Sequence, residues 1–232
     1  MCGGARTKPA QINVENLQQF VDKVMEEEMN RGPNMKSYDE NQTNRFPGHT
    51  FLCLYRDDCD RLQLDAMWWG INLFKNYKSF QTPVEDVTIK NGFKKMSHQS
   101  RCIIFVSSFM EKKCNFYPAV EDIMVLAGLY KVKKDFPGEY QFTFVTQPMT
   151  YSYSHIHDRC PVVLFNQRMV KEWMDRKPLN VTGFIQPVIL SVYLASDSPR
   201  KQEPKPTYKH RGEEMVDEQI VDDEIVDEEI ID

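Results

Sequence analysis

The sequence predicts an α+β fold: a mainly antiparallel, strand-rich domain with a few helices and a disordered acidic C-terminal tail. Runs of β-branched and aromatic residues follow one another, each bounded by charged or turn residues, with few helical segments between them. Because parallel strands need long crossover connections, this order favours antiparallel pairing over a doubly wound sheet. The predicted strands are residues 51–55, 62–69, 101–110, 123–132, 140–146 and 161–164.

Two segments have helix signals. Residues 14–29 place apolar side chains three or four positions apart, with acidic residues outside them, which predicts an amphipathic helix. Its apolar positions are Leu17, Phe20, Val21, Val24 and Met25. Asn166 precedes the second segment, residues 167–174, and Asn at that position is typical of a helix N-cap.

Length and composition favour one domain followed by a tail. With 232 residues, 41% of them hydrophobic, the chain can bury one sizeable core but is short for two ordinary domains with linkers. The apolar pattern fades after Pro187, and residues 196–210 are rich in Ser, Pro, Lys and Gln, as solvated linkers are. We therefore predict a domain at residues 1–198, a linker at 199–212 and an acidic disordered tail at 213–232.

The tail combines acidic residues with regularly spaced aliphatic pairs. Residues 211–232 contain eleven acids and one base, which leaves 28 bases against 23 acids in residues 1–210, a net charge of +5. Pairs such as Ile220-Val221 recur every five residues, a period that fits neither a helix face nor a strand face. Three interpretations stay open: a solubilising tail, a short linear motif for a partner protein such as a small ubiquitin-like modifier, or a segment that competes with DNA for a basic groove.

Several classes of protein are disfavoured. No run of 18 apolar residues occurs, so we expect no membrane association and an intracellular protein, nuclear if eukaryotic and cytoplasmic or nucleoid-associated if bacterial. The six cysteines are scattered, and we expect them to be reduced. Because no Cys-x-x-Cys occurs, and His155 and His157 have no cysteine at a finger-like spacing, we expect no metal and no cofactor.

The first string that suggests chemistry is the start of the chain, Met1-Cys2-Gly3-Gly4. A small second residue generally permits removal of the initiator Met, which would leave a free α-amine and a thiol on Cys2. The amine can attack an aldehyde to give an imine, and the thiol can close onto the imine carbon to give a thiazolidine ring. Both groups titrate near neutrality, at about 8.5 for a thiol and about 7.7–8.0 for an α-amine. By itself, a cysteine at position 2 does not identify a catalytic residue, and an ordinary residue is the favoured alternative.

Glu111 is a candidate for proton transfer. It ends the apolar run 101–110, where burial would raise its pKa. The alternative is a charged residue that simply begins the following loop, beside Lys112 and Lys113.

Residues 154–160 form the densest group of polar side chains. His155 and His157, at i and i+2, would share one strand face, so that one could act in a site while Arg159 binds phosphate. The alternative is a polar loop in which Asp158 and Arg159 pair with each other.

Together these strings resemble the SRAP (SOS response-associated peptidase) family, whose members include sensors of abasic sites. The resemblance extends over about residues 1–195 and places Glu111 on the family's catalytic Glu and His157 on its catalytic His. The matching blocks are residues 1–3 with Met-Cys-Gly, 68–70 with a central Trp-Gly, 101–113 with an Arg-Cys-hydrophobic stretch ending Phe-x-Glu-x-Lys, 156–164 with Ile-His-Asp-Arg-Met-Pro and a hydrophobic run, and 184–188 with a terminal His-Pro-Val segment.

The resemblance implies a β-rich domain with a basic groove for bent single-stranded DNA that carries an abasic site. After self-directed removal of Met1, a peptidase activity, the amine of Cys2 would attack the sugar aldehyde and the thiol would complete a thiazolidine cross-link. Glu111 would relay protons and assist the removal of Met1. His157 would assist opening of the sugar ring, or protonate the departing 3′ oxygen in a lyase step.

The resemblance also assigns DNA-binding residues. Gln81 stands where the family has an Asn that holds the lesion, and Arg159 would hold a phosphate. Trp68 and Trp69 could stack on bases, with burial in the core as the alternative for at least one of them.

This chain departs from the family pattern at four positions. Gly4 and Pro83 stand in place of arginines, Gln81 is one methylene longer than the family's Asn, and Lys112 stands where many members have Trp. Two lost guanidiniums predict weaker binding to DNA. The leading prediction is therefore a divergent abasic-site sensor, and the alternative is a degenerate paralogue that acts as a non-covalent DNA-binding or adaptor protein.

Overall fold

Most of the long apolar runs become strands. Shorter strands that the sequence analysis did not predict complete two sheets, and two of them form a separate two-stranded hairpin. The computed structural model describes residues 3–74, 77–118, 123–133, 136, 138–175, 181–185 and 190–194. Within them it has four α-helices: α1 (Val14–Val24), α2 (Val84–Val87), α3 (Asn91–Gln99) and α4 (Gln167–Met174). The strands in the same residues are β1 (Gly4–Arg6), β2 (Met29–Arg31), β3 (Asn44–Arg45), β4 (Thr50–Arg56), β5 (Leu62–Trp69), β6 (Ile71–Phe74), β7 (Tyr77–Ser79), β8 (Gln81–Pro83), β9 (Arg101–Val106), β10 (Ser108–Glu111), β11 (Cys114–Pro118), β12 (Met124–Val132), β13 (Tyr140–Pro148), β14 (Arg159–Pro161) and β15 (Leu190–Leu194).

The larger sheet closes on itself. Strand β13 pairs antiparallel with β12 and parallel with β5, so β13, β12, β9, β4 and β5 form a closed ring. Strands β14 and β8 also pair with β13, and β2 pairs with β5. The rings of Phe51 in β4 and Phe142 in β13 have centroids 5.5 Å apart, although these two strands do not pair. Side chains therefore fill the interior of the ring.

Alternation along the ring strands divides the core into two clusters. The inner cluster includes Phe51, Trp69 and Ile104. The outer cluster includes Leu54 and Phe105 from the strands, packed with helix residues such as Leu17, Val170 and Trp173. Because successive side chains of a strand point to opposite faces, each ring strand contributes to both clusters. The helices thus bury their apolar faces on the outside of the ring.

The second sheet is antiparallel, with strand order β15-β11-β10-β1-β3. Its residues Ala5, Phe109 and Phe116 belong to the inner cluster, so one face of this sheet packs against the ring's interior. The chain passes from β9 in the ring to β10 in the second sheet at Ser107, whose amide donates to the Arg6 carbonyl. This crossing brings the end of β10 close to the interior of the ring.

The predicted fold class is confirmed: the described residues are strand-rich, with antiparallel and mixed sheets. Strands β4, β5, β12 and β13 match their predicted runs closely, and α4 begins after Asn166, whose side chain accepts from the Met169 amide at 2.9 Å. Among the described residues, no helix is long and apolar enough to cross a membrane. The predicted linker and tail, residues 199–232, lie outside the described residues and stay predictions.

Three predicted boundaries were wrong. The helix at 14–29 ends at Val24, because Glu26 has a φ of 59° and the chain then forms β2 alongside β5. The run 101–110 is two strands divided at Ser107, which belong to different sheets. The run 161–164 has its strand earlier, at Arg159–Pro161, and beyond it Val163 makes only an isolated bridge to Leu126. In each case pairing with a distant strand overrides the local pattern.

Candidate active site

Glu111 is the buried carboxylate of the site. It is the last residue of β10 and is 5% exposed, on the face of that strand that also carries the buried Phe109. Burial raises the pKa of Glu111, while the charge of His157 and the amide of Gly3 act in the opposite direction. The alternative of a solvated loop residue is therefore wrong: Glu111 is a desolvated acid.

His157 faces Glu111 from the other side of the site. Its Nε2 lies 3.7 Å from Oε1 of Glu111, and its Nδ1 lies 2.9 Å from Oδ1 of Asp158. Nδ1 also lies 3.1 Å from both the carbonyl oxygen and the amide nitrogen of Arg159. Nδ1 thus has two acceptors beside it, the Asp158 carboxylate and the Arg159 carbonyl, and one donor, the Arg159 amide. We therefore assign the proton of the neutral ring to Nδ1. Nε2 then carries the lone pair and faces Glu111 across a gap of 3.7 Å, which is too long for a direct hydrogen bond.

His157 is held by a turn and not by a strand. A short 3-10 helix, Tyr151–Tyr153, leads into it, and the Ile156 amide donates to the Tyr153 carbonyl at 2.9 Å. The ring of Tyr153 packs edge-on against Phe116 of β11, with centroids 5.9 Å apart. The prediction that His155 and His157 share a strand face is wrong, because the turn leaves His155 exposed while His157 points inward.

Cys114 is a site residue that the sequence did not single out. In the β10–β11 hairpin its partner is Glu111, so the two side chains lie on the same face, with Cβ atoms about 4.5–5.5 Å apart. Cys114 is a free, half-buried thiol that packs against the inner cluster. A two-residue hairpin turn after Glu111 would have predicted this pairing, but Lys112-Lys113 does not resemble the usual turn sequences.

The start of the described chain lies beside Glu111. The Gly3 amide donates to the Met110 carbonyl at 3.0 Å, and Gly4 pairs with Met110 in β1 and β10. A Cβ at Gly4 would come within 2.6 Å of Cε of Met110 and 3.0 Å of the Arg45 carbonyl oxygen, so the glycine allows this close strand approach. Cys2 and Met1 lie outside the described residues, and the role of Cys2 stays a prediction.

Arg159 is bonded within the protein. Its Nη atoms donate to the two carboxylate oxygens of Glu85 at 2.7 and 3.3 Å, and Nε and Nη2 donate to the hydroxyl and carbonyl of Thr146. Partial burial raises the pKa of Glu85, but the bonds from Arg159 hold it below its ordinary value. The alternative pairing of Arg159 with Asp158 is wrong, since Asp158 instead contacts His157. Arg159 therefore fastens β14 to β13 and to α2.

The remaining predicted DNA-binding residues lie in different surroundings. Gln81 is half-buried in β8, where it pairs with Phe144 of β13. Trp68 is 38% exposed, with Nζ of Lys133 5.8 Å from its ring centroid. Trp69 is fully buried and donates its indole N–H to the Phe80 carbonyl at 2.7 Å. The prediction that Trp69 stacks on a base is therefore wrong, and the alternative of burial in the core holds for this residue.

Among the described residues, no group of three or more His, Cys, Asp or Glu side chains is arranged to hold a metal ion. What the described site offers is a desolvated carboxylate, an imidazole oriented by Asp158, and a thiol across the strand from the carboxylate. Such a set can shuttle protons between a reacting group and solvent.

The fold and this acid–base pair define a strand-rich α+β protein whose site lies where the second sheet meets the ring. Residues 1–195 match the family described as SOS response associated peptidase (SRAP), and the chain belongs to that family.

Solved bacterial structures share the fold at low sequence identity. A protein from Bacteroides thetaiotaomicron has a TM-score of 0.66 at 14% identity, with 83% of this chain and 91% of that chain covered. A protein from Bordetella bronchiseptica has a TM-score of 0.63 at 13% identity, with 83% and 99% covered. A phage-related protein from the same species has a TM-score of 0.56 at 16% identity, with 83% and 93% covered. No curated protein matches the chain.

Proposed function

We propose that this protein captures abasic sites in single-stranded DNA through a thiazolidine formed by Cys2 after removal of Met1. The observation that carries the proposal is the bond from the Gly3 amide to the Met110 carbonyl, next to the buried Glu111 and its partner His157. Membership of the SRAP family supports an activity of this general class.

Covalent geometry limits how far Cys2 can lie from the acid–base pair. Consecutive Cα atoms are about 3.8 Å apart, so Cys2 begins one step from Gly3. Extending the β1–β10 register by one residue puts Gly3 opposite Glu111. A terminal amine and thiol attached there can reach Glu111 without any rearrangement of the sheet. This reach is the reason to assign Cys2 to the same site as Glu111 and His157.

The proposed reaction has two parts. First, water hydrolyses the Met1–Cys2 peptide bond, with Glu111 taking a proton from the water and returning it to the new amine. Second, the amine of Cys2 adds to the open-chain sugar aldehyde, and the hydroxyl of the adduct leaves as water to give an imine. The thiol then adds to the imine carbon, and its proton ends on the ring nitrogen. Glu111, whose pKa burial raises, is suited to giving and taking these protons.

His157 is suited to the steps that involve the sugar. Its Nε2 faces the reaction site, and Asp158 stabilises the ring when it carries a proton. We assign it to opening of the sugar ring and, in a lyase step, to protonation of the departing 3′ oxygen. Gln81 would contact the lesion and Trp68 would stack on a base. A phosphate role for Arg159 would require it to leave Glu85.

A second candidate function is non-covalent binding by a degenerate paralogue. It is favoured by the loss of cations at Gly4 and Pro83 and by the internal bonds of Arg159, all of which weaken the expected grip on DNA. On this alternative the acidic tail would recruit a partner protein.

Two measurements test the proposal. The intact mass of the purified protein should correspond to a chain without Met1, since a retained Met1 leaves the Cys2 nitrogen in a peptide bond. Incubation with single-stranded DNA that carries an abasic site should give a heat-stable adduct. Cys2→Ser, which keeps the amine and removes the thiol, should form no stable thiazolidine. Equal adduct from wild type and Cys2→Ser would exclude the mechanism.

A further inference from the structure

The hairpin that follows Glu111 has an unusual turn. Strands β10 and β11 pair as far as Glu111 and Cys114, so Lys112 and Lys113 alone form the loop. Their φ values are 44° and 67°, the pattern of a type I′ turn. Positive φ at both positions strongly favours Asn-Gly, because a Cβ crowds the backbone in this region. The chain thus holds two lysines in a strained conformation at the rim of the site.

Backbone strain of this kind is concentrated at functional sites, where the strained residues take part in binding or catalysis. Both lysines are exposed, and within the described part of the chain neither forms a salt bridge. The lysine charge also reaches the site: burial raises the pKa of Glu111, and the charges of His157 and Lys112 oppose that rise. The ammonium groups therefore stand at the edge of the site with solvent in front of them.

Three positions where the family pattern has a cation or a phosphate contact offer little to an anion in this chain. Gly4 and Pro83 carry no charge, and the guanidinium of Arg159 is engaged by Glu85 and Thr146. A polyanion that brings a reacting group to Glu111 and His157 must nevertheless pass with its phosphates near this rim. Lysine ammonium groups on a short turn suit that task, because phosphate contacts need charge more than fixed hydrogen-bond geometry.

We propose that the Lys112–Lys113 turn is the phosphate-binding element of this site and grips the backbone of single-stranded DNA beside the lesion. The inference rests on the proposed function for the identity of the polyanion. The strained turn keeps both lysines beside Glu111, at the rim of the site.

The test compares charge removal at the turn with charge removal elsewhere. K112Q/K113Q removes two charges from the turn, and K94Q/K95Q removes two from the exposed face of α3, which packs in the outer cluster. The probe is fluorescein-labelled single-stranded oligothymidine without an abasic site, followed by anisotropy over a range of salt concentrations. We expect K112Q/K113Q to weaken binding about tenfold at 0.15 M salt and to lower the salt slope by about 1.4, the values for two lost contacts. K94Q/K95Q should change the affinity and the salt slope much less.

A third variant removes the backbone strain of the turn together with the two charges. K112N/K113G introduces the preferred type I′ pair, so it should bind as weakly as K112Q/K113Q while its Tm rises by about 4 °C. K112R/K113R, which keeps both charges, should retain wild-type affinity. Equal losses of affinity in K112Q/K113Q and K94Q/K95Q, or full affinity in K112N/K113G, would overturn the inference, as would a wild type that does not bind the oligothymidine.

Failure of the proposed function gives a different result. A wild type that binds oligothymidine through the lysine turn but forms no adduct with abasic DNA would refute covalent capture and leave the turn as a phosphate site. Adduct formation that is unchanged in rate and yield in K112Q/K113Q at low DNA concentration would refute the turn and leave the chemistry of Cys2.

Discussion

Oε1 of Glu111 and Nε2 of His157 lie 3.7 Å apart, although Glu111 ends a strand of the second sheet and His157 lies in the turn before a strand added to the ring. Both side chains are largely buried, so their interaction is little screened by solvent. The contact depends on how the two sheets pack.

Replacing Glu111 with Gln should slow cross-linking while leaving DNA binding intact. Gln keeps the shape but cannot carry a proton between the amine and solvent, and loss of such a group costs about 100-fold or more in rate. The rate should be measured by single-turnover formation of the adduct with abasic DNA, on protein whose intact mass shows that Met1 has been removed, and the Kd on undamaged DNA by anisotropy. E111Q/H157Q should be little slower than the slower single variant, because Glu111 and His157 are assigned to successive steps and the slower step limits the rate. A double variant whose loss of rate is the product of the two single losses would contradict this expectation.

The same substitution should change stability with pH. The pKa of Glu111 is raised above its ordinary value of 4.5, mainly by burial, so the folded state favours the protonated acid. Its favourable contribution is complete below the unfolded pKa and is lost as pH rises through the folded pKa. E111Q should therefore be more stable than wild type at pH 7–8, and this difference should shrink below pH 4.5.

Urea unfolding at several pH values measures the difference. Repeating the series in an H157Q background separates the charge of the imidazole from the burial of the carboxylate. A wild type that is more stable than E111Q at neutral pH would show that the ion pair with His157 outweighs burial.

Arg159→Gln should reduce stability more than it reduces the electrostatic part of DNA binding. It removes the bonds to Thr146 and Glu85, and we expect a loss of about 1–2 kcal/mol, most of it from the bonds to Thr146, because the Glu85 side chain is about half exposed to solvent. The matched variant Glu85→Gln should cost less. In salt titrations with oligothymidine, the slope should stay close to that of the wild type. A fall of about 0.7 in the salt slope would instead show that Arg159 contacts a phosphate.

The two neighbouring tryptophans should respond differently to substitution. Trp69→Ala should lower the free energy of unfolding by about 3–5 kcal/mol, because it empties part of the inner cluster. Trp68→Ala should change stability little but weaken binding of single-stranded DNA by about 1–3 kcal/mol if the ring stacks on a base. Chemical denaturation and anisotropy on both variants check the two expectations. An unchanged Kd for Trp68→Ala would remove it from the DNA interface.

Ending the chain after residue 198 should leave the domain intact. Strand β15 ends at Leu194, where it pairs with Cys114, so the cut spares the second sheet. We expect a change of no more than about 0.5 kcal/mol in the free energy of unfolding. A larger loss would mean that the domain extends further. In the same truncated protein, tighter binding of DNA would support an acidic segment that competes for the basic site, and unchanged binding would support a solubilising tail or a motif for a partner.

Local patterns in the sequence were enough to predict the long strands and the capped helix. Alternating apolar residues mark β4, β5, β12 and β13, and Asn166 marks the start of α4. These signals are read within one segment, so they do not depend on the partner. Strands of two or three residues, such as β1, β3 and β8, carry no such signal and exist because longer strands offer them an edge.

The sequence by itself determined the family resemblance and nominated Glu111 and His157 for catalysis. Only the tertiary structure decided that Trp69 is enclosed while Trp68 is exposed, that Arg159 is committed to Glu85, and that Cys114 lies across from Glu111. The physical reason is that side chains alternate between the two faces of a strand, and this alternation does not determine which face is buried. That choice is made when β13 pairs with both β12 and β5 and closes the ring.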